Sequence, residues 1–370
     1  MHKKTSMEKI DSIKIYTEQN HSLKKDWLKY LIHPIKAYWG DGTIDWDKYK
    51  ESFKFHKLYF TITEDIIKAD VAFLPLTLNY YIKKKVLFKV KKFIDRSKRH
   101  NLKSYIWIDG DNQIRYMNDR NDCVFIKYFS YRSKFLMNEL IRPGDLKNDL
   151  LEIYFKGKLK TKKKSKVPIV GFDGLATYPN VRLINIIIKN IISKLYYNFR
   201  LTKIEPDHIF PYLLKRNKIL KYLRKSVLID TNFKIRSIFA EGTLGRKSNS
   251  RSEFLNNIIS SDYTLCYRGA ANYSLRFYET LCLGRIPLLI NTDCKLPFEK
   301  KINWKEVCLI VEEREIKYIP ELILNFHNSH TNEQFIEKQF YCREIWVKNL
   351  SKVSFYKNLY KEIENTSINL

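Results

Sequence analysis

At 370 residues the chain is long enough for two domains, each with its own core. Its net charge of +28, from 68 Lys and Arg against 40 Asp and Glu, directs attention to nucleic acid or an anionic surface. Nucleic acid is disfavoured: no zinc-finger spacing, RNP-like aromatic signature or basic heptad array accompanies the charge, and lysines outnumber arginines 50 to 18 in the manner of adenine- and thymine-rich coding DNA.

The opening residues, MHKKTSMEKIDSIKIY, carry charge after charge with no apolar leader segment, which predicts a cytoplasmic chain. A strand is expected over Ile13 to Thr17, followed by apolar runs at Val71 to Leu76, Tyr105 to Ile108 and Val124 to Tyr128. Helix-like stretches such as Val86 to Arg99 alternate with them, an α/β rhythm. Two carboxylates follow strands directly. Glu18 comes after the first, and Asp111 lies in Asp109-Gly110-Asp111-Asn112 after Tyr105 to Ile108. Either is placed to act as a general base, while Asp109 and Asp111 also suit an ordinary tight turn.

Lys156 to Lys166 reads KGKLKTKKKSK, a charge run without apolar periodicity just before a strong strand at Ile169 to Phe172. A domain boundary is expected there, dividing the chain into 1–160, 167–332 and closing helices over 333–370. Beyond it come a turn at Gly174, a long apolar helix from Val181 to Tyr197 and a strand at Ser226 to Asp230. Lys189 and Lys194 interrupt that helix, and it falls short of the ~20 apolar residues that a membrane span requires.

Between Ser261 and Glu299 the residues SDYTLCYRGAANYSLRFYETLCLGRIPLLINTDCKLPFE order themselves as strand, glycine turn, helix and strand. Tyr263 to Cys266 is short enough for a buried strand, and Arg268-Gly269 breaks it. Asn272 or Ser274 is placed to cap the helix, and Leu275, Tyr278, Leu281 and Cys282 recur at offsets of three or four. Arg276 and Glu279 lie three apart on another face, and Gly284 stops the helix before a strand at Ile286 to Ile290. Parallel strands joined in this way bind ligands at their carboxyl ends. A diphosphate at that helix start would meet unpaired N–H groups and the guanidinium groups of Arg268 or Arg276. Glu279 offers acceptors for ribose hydroxyls, although an Arg and a Glu three apart also suit a plain surface ion pair.

This segment resembles the exostosin-like glycosyltransferases. The matching residues are Gly269, Arg276, Glu279, Gly284, Ile286, Pro287, Asp293 and Leu296-Pro297-Phe298, followed by Trp304 and Val307 to Val311. Many family members have Cys-Pro where this chain has Cys266-Tyr267. The likeness is specific over about Arg251 to Glu313, and weaker at Val167 to Gly174 and Ala69 to Pro75. It implies a GT-B architecture: two Rossmann-like domains facing across a cleft, the donor held mainly by the second, and a last helix returning to the first. It further implies an inverting transferase using a nucleotide sugar, UDP-linked, for a polysaccharide or lipid-linked glycan of the cell envelope, with no cofactor.

On that reading Arg268, Arg276, Arg251 and Arg246 stabilise the departing diphosphate, Gly269, Asn272 and Ser274 line its turn, and Asp111 or Glu18 supplies the base. A second reading takes Asp109 and Asp111 as the metal-holding pair of a GT-A glycosyltransferase. A third is a non-enzymatic basic adaptor for an anionic polymer. Lysine clusters also suit peripheral contact with anionic lipid at the inner face of a membrane. Scattered cysteines at 123, 266, 282, 294, 308 and 342 read as reduced structural thiols, and the dispersed histidines give no zinc spacing.

Overall fold

The computed structural model describes residues 11–117, 120–146, 148–178, 180–238 and 249–368; Arg246 lies outside them. Short runs rich in β-branched and aromatic residues form the first sheet: β1 Ile13–Tyr16, β2 Phe60–Thr63, β3 Val71–Phe73, β4 Ser104–Ile108, β5 Cys123–Lys127 and β6 Glu139–Ile141. All pair in parallel, in the order β2-β1-β3-β4-β5-β6. All five residues of β4 are buried, which is why its sequence is a continuous apolar run rather than an alternating one. Helix α1, Leu87–Arg99, covers the sheet with Val90, Phe93, Ile94 and Ser97, the buried stripe of a 3.6-residue period.

The second sheet contains β7 Ile169–Leu175, β8 Asp230–Arg236, β9 Tyr263–Cys266, β10 Ile286–Asn291 and β11 Leu309–Glu312, again all parallel, ordered β8-β7-β9-β10-β11. Its helices are α2 Asn180–Asn198, α3 Tyr212–Arg224, α4 Ser250–Ser260, α5 Leu275–Cys282, α6 Ile319–Asn328 and α7 Asn332–Ile345. The strand expected at Ser226 to Asp230 begins only at Asp230. Its polar sequence, DTNFKIR, suits an edge strand and lacks the apolar run that marks the buried ones. The chain runs from β7 to β8 on one side and then crosses to β9 on the other, so a crevice opens between β7 and β9 at their carboxyl ends.

Core membership redraws the expected boundaries. Leu150 and Leu151 already belong to the second core, so the chain passes between domains before the lysine run. That run is pinned to the second domain: Lys162 Nζ lies 2.6 Å from Asp262, and Lys164 Nζ donates to the carbonyls of His327 and His330 at 2.9 and 2.6 Å. Helix α7 also stays there through Phe335, Cys342 and Ile345. Only the last helix, α8 Lys352–Ile368, returns, and it buries Phe355, Tyr356, Leu359, Tyr360 and Ile363 in the first core. The two domains thus form the GT-B arrangement, which a single-sheet GT-A reading does not accommodate. Helix α2 forms where an apolar helix was expected, but none of its residues is buried. All six cysteines are free and buried.

Candidate functional site

The crevice is built by the unit that the periodicity outlined. Phe277, Tyr278, Leu281 and Cys282 anchor α5 in the core, and Gly284 terminates it at φ 61°, a left-handed position that favours glycine. Ser274 occupies the N-cap position with extended backbone, but its side chain makes no cap hydrogen bond. Asn272 does not cap the helix either. Its amide donates to the carbonyls of Thr292 and Asp293 at 3.1 and 3.3 Å and accepts from Thr292 Oγ1 at 2.6 Å, tying the turn to the loop after β10. Beside Gly269 the space is open: a Cβ built there meets no heavy atom within 4 Å.

Arg276 and Glu279 are not each other's ion-pair partners. Glu279, 1% exposed, accepts from Arg251 Nη1 at 2.7 Å across to α4. Burial raises its pKa, with Arg251 opposing. Arg276 turns instead to the end of β7, where Nη2 donates to the Asp173 carbonyl at 2.7 Å and the guanidinium lies 4.4 Å from the Phe172 ring centroid. Gly174 makes this approach possible, because a Cβ at that position would stand 2.7 Å from Arg276 Nη2. Burial pushes the Arg276 pKa down, so its positive charge is held at a cost. Glu279 Oε2 and Arg276 Nε are buried without a partner among the described residues.

Further arginines complete the crevice. Arg268, 2% exposed, donates from Nη2 to Asp207 at 2.7 Å and from Nη1 to the Tyr131 hydroxyl at 2.9 Å, stacked 3.5 Å from the Tyr212 ring centroid. Its guanidinium is therefore committed to a latch that joins the second domain to the first. Arg216 stitches the ends of β7 and β9 through the carbonyls of Leu175, Tyr267 and Arg268. Arg236 forms a two-pronged pair with Asp173 at 2.6 Å. Sequence reasoning missed Arg216, Arg236, Asp207 and Tyr131. Arg216 did leave a signal, since it falls on the apolar stripe of α3 with Tyr212, Ile219, Leu220 and Leu223. Asp207 and Tyr131 lie in loops, where no period reports on contacts. Asp173, Glu279 and Asp207 thus neutralise Arg236, Arg251 and Arg268, whereas Arg216 and Arg276 have no carboxylate partner among the described residues. That excess of fixed positive charge suits an anion.

The carboxyl ends of both sheets meet across this crevice. Tyr128 stacks on Tyr273 at 5.7 Å, Arg132 pairs with Glu299 at 2.6 Å, and Ser133 N–H donates to Asp293 at 3.1 Å. Asp111 is exposed, and its charge adds to the burial that raises the Tyr273 pKa. Partial loss of hydration raises the Asp111 pKa. Asp109 pairs with Arg142 at 2.6 Å. Glu18 sits apart, accepting from Tyr16, His21 and Arg96 within the first domain; these bonds, that from His21 foremost, hold its pKa down to about 2. A carboxylate so stabilised is a poor base. Among the described residues no group of three or more His, Cys, Asp or Glu is arranged to hold a metal ion.

Two parallel α/β domains facing across an arginine-lined crevice, with the last helix returning to the first domain, are the GT-B architecture. Residues 210–325 match the Exostosin GT47 domain. Exostosin-1 homolog of Caenorhabditis elegans is 28% identical over 31% of this chain and 30% of its own. Exostosin-1 of Drosophila melanogaster is 34% identical over 20% and 10%, and a probable glucuronosyltransferase of Oryza sativa subsp. japonica is 33% identical over 26% and 21%. The matched stretches span less than a third of each of these relatives. Among solved structures, a glycosyltransferase from Rickettsia africae aligns at 13% identity and TM-score 0.37, covering 95% of this chain and 99% of its own. TarM of S. aureus, crystallised with fondaparinux, alpha-GlcNAc-glycerol and UDP, aligns at 11% identity and TM-score 0.34, covering 81% and 55%.

Proposed function

We propose that the chain is an inverting glycosyltransferase that moves a sugar from a UDP-linked donor to a hydroxyl of a cell-envelope glycan, lipid-linked or polymeric, at the cytoplasmic face of a membrane. One observation carries the reading: guanidinium groups without carboxylate partners stand at the switch point of the second sheet, beside open space at Gly269. As the donor bond breaks, negative charge collects on the leaving diphosphate, and preorganised cations at that point lower the barrier without reorganising. Arg276 is the first such cation. Arg251 supports it through Glu279, and Arg268 joins when the Asp207 latch opens. Glu279 Oε2, buried and unpartnered, is the acceptor for the ribose hydroxyls. Gly269 and Ser274 leave room for the phosphates, while Asn272 fixes the turn.

Asp111 takes the proton from the attacking hydroxyl, on the face opposite the leaving group, which inverts the anomeric centre. Its raised pKa makes it a stronger base than Glu18, whose pKa is held down. No resident metal is required on this scheme, because arginines do the electrostatic work.

The test is a thermal-shift screen of the full chain against a panel of nucleotide sugars, with and without EDTA. A ligand at a hundredfold excess over its Kd stabilises the native state by about 2.7 kcal/mol. A UDP-sugar shift that survives EDTA and disappears in Glu279→Ala supports the reading. No shift with any nucleotide sugar, together with salt-sensitive binding of an anionic polymer, replaces it with the basic-adaptor reading.

A further inference from the structure

Helix α2 is built the wrong way round for a helix that packs on its own domain. Val181, Ile184, Ile188, Ile192 and Leu195, with Phe199 in the turn just after the helix, recur at offsets of three or four along one face, and that face points outward: these six side chains are 45% to 73% exposed. The inward face carries Leu183, Ile186, Ile187 and Asn190, none of them fully buried; the Asn190 amide donates to the carbonyls of His208 and Ile209. An apolar stripe about 28 Å long is therefore presented to the surroundings by a 19-residue helix. Contiguous exposed apolar surface of this extent marks an interaction site.

Charge identifies the occupant. From Gly174 to Ile204 the sequence contains no Asp or Glu, but Arg182, Lys189, Lys194, Arg200 and Lys203 lie within it. Arg182 and Lys189 border the stripe, where long side chains carry their charges to a headgroup layer while their stems stay apolar. A second copy of the chain is a poor fit, because a two-fold contact through α2 would bring the same acid-free, basic surface against itself. A bilayer with anionic headgroups meets both requirements, the apolar stripe entering the acyl boundary and the cations meeting the lipid charge. The helix lies in the interface and does not cross it, since no helix among the described residues is long and apolar enough to span a membrane.

We infer that α2 is an interfacial helix that docks the protein on anionic lipid and sets its cleft at the membrane surface. Its connection to the cleft is direct. The strand after it, Ile204–Glu205, pairs with Gln113–Ile114, two residues beyond Asp111, and the next loop supplies Asp207 to Arg268. That the docked cleft receives a lipid-linked acceptor rests on the function proposed above; the docking itself does not.

The experiment is co-sedimentation of the full chain with phosphatidylcholine vesicles with or without phosphatidylglycerol, for wild type and for Ile188→Glu combined with Leu195→Glu. Both positions are exposed, so the variant keeps its thermal midpoint, and a control replaces Lys83, Lys84 and Lys85 by Gln. Expected is binding to the phosphatidylglycerol vesicles, weakened by salt, that falls about tenfold or more in the α2 variant. The lysine control stays near wild type. Failure of wild type to bind at low salt, or equal binding by the α2 variant, overturns the inference. So does a wild-type dimer that the variant converts to monomer in sedimentation velocity. A UDP-sugar thermal shift measured on the same proteins separates the two readings: loss of vesicle binding with the shift intact concerns α2 alone, and absence of the shift with vesicle binding intact removes the transferase while leaving the docking helix.

Discussion

Gly174→Ala probes the crevice through a single methyl group. The new Cβ would stand 2.7 Å from Arg276 Nη2, whereas ordinary contact begins near 3.4 Å, so the guanidinium must withdraw by about 0.7 Å or rotate away. Its hydrogen bond to the Asp173 carbonyl, now 2.7 Å, stretches past useful length. A hydrogen bond from a charged group contributes about 1.5–3 kcal/mol, and the lower unfolded-chain entropy of alanine returns about 0.4–1 kcal/mol. The net loss is about 1–2 kcal/mol, a fall of roughly 2–8 °C in Tm for a domain of this size. Displacement of Arg276 from the diphosphate position should also weaken UDP binding by about tenfold, since 1.4 kcal/mol corresponds to a factor of ten. Calorimetric titration of UDP and a thermal melt check both numbers, with Arg276→Ala as the upper limit of the effect. A Gly174→Ala protein that binds UDP as wild type does and melts at the same temperature would refute the assignment of Arg276 to the donor.

Asp207→Asn removes the carboxylate that holds Arg268, and UDP binding should tighten severalfold as the guanidinium becomes available; unchanged or weaker binding in a titration counts against the latch. Asp111→Asn should abolish transfer while leaving the UDP thermal shift in place. In the wild type the acid limb of kcat/KM should lie above the ordinary carboxylate range, because the base must be ionised and its pKa is raised; a limb at or below that range removes Asp111 from the role. Stability should depend on two histidines near the returning helix. Burial holds His33 and His56 well below their usual pKa, with Lys352 adding to both, and neither nitrogen of His56 has a partner among the described residues. The unfolded chain then binds more protons than the folded one below about pH 6.5, so their contribution is complete above that pH and is lost as pH falls toward the folded values. A urea midpoint that drops from pH 7.5 to pH 5 in wild type, and drops less in His56→Phe, is the expected pattern; equal drops in both would exclude His56.

The strand, turn and helix from Tyr263 to Gly284 were legible because three local signals agree there: a short buried strand, an apolar offset of three and four, and Gly284 in the left-handed conformation that ends the helix. The partner of Glu279 was not legible. Arg251 lies 28 residues away on another helix, and helical spacing reports only neighbours on the same helix. The lysine run misled for a related reason. Lysine stems are apolar and their charges are mobile, so a KKK segment without periodicity can still be fixed by Asp262 and by carbonyls at the end of α6. For α2 the sequence reported that apolar residues share a face, but periodicity does not say whether that face looks toward the protein or away from it.

The charge of +28 therefore divides into parts with different chemistry. In the crevice, arginine predominates, and most of its charge is already countered: Asp173, Glu279 and Asp207 each hold one guanidinium. What remains is the charge of Arg216 and Arg276, held in place by backbone carbonyls, and on the proposed function this fixed remainder would give an anion a defined position. Most of the lysine excess lies elsewhere, on exposed side chains whose field is screened within about 10 Å at 0.1 M salt. Such a field can hold the protein near an anionic surface but cannot orient it. Orientation needs a contact with shape, and the stripe on α2 supplies one a short strand away from the cleft. Salt should accordingly weaken lipid binding strongly and UDP binding much less, because the Arg276 guanidinium is packed against Phe172 and Phe254 while Arg182 and Lys189 stand in water. Equal salt slopes for the two ligands would mean that the crevice and the surface draw on the same mobile charge, and the division of labour between arginine and lysine would fail.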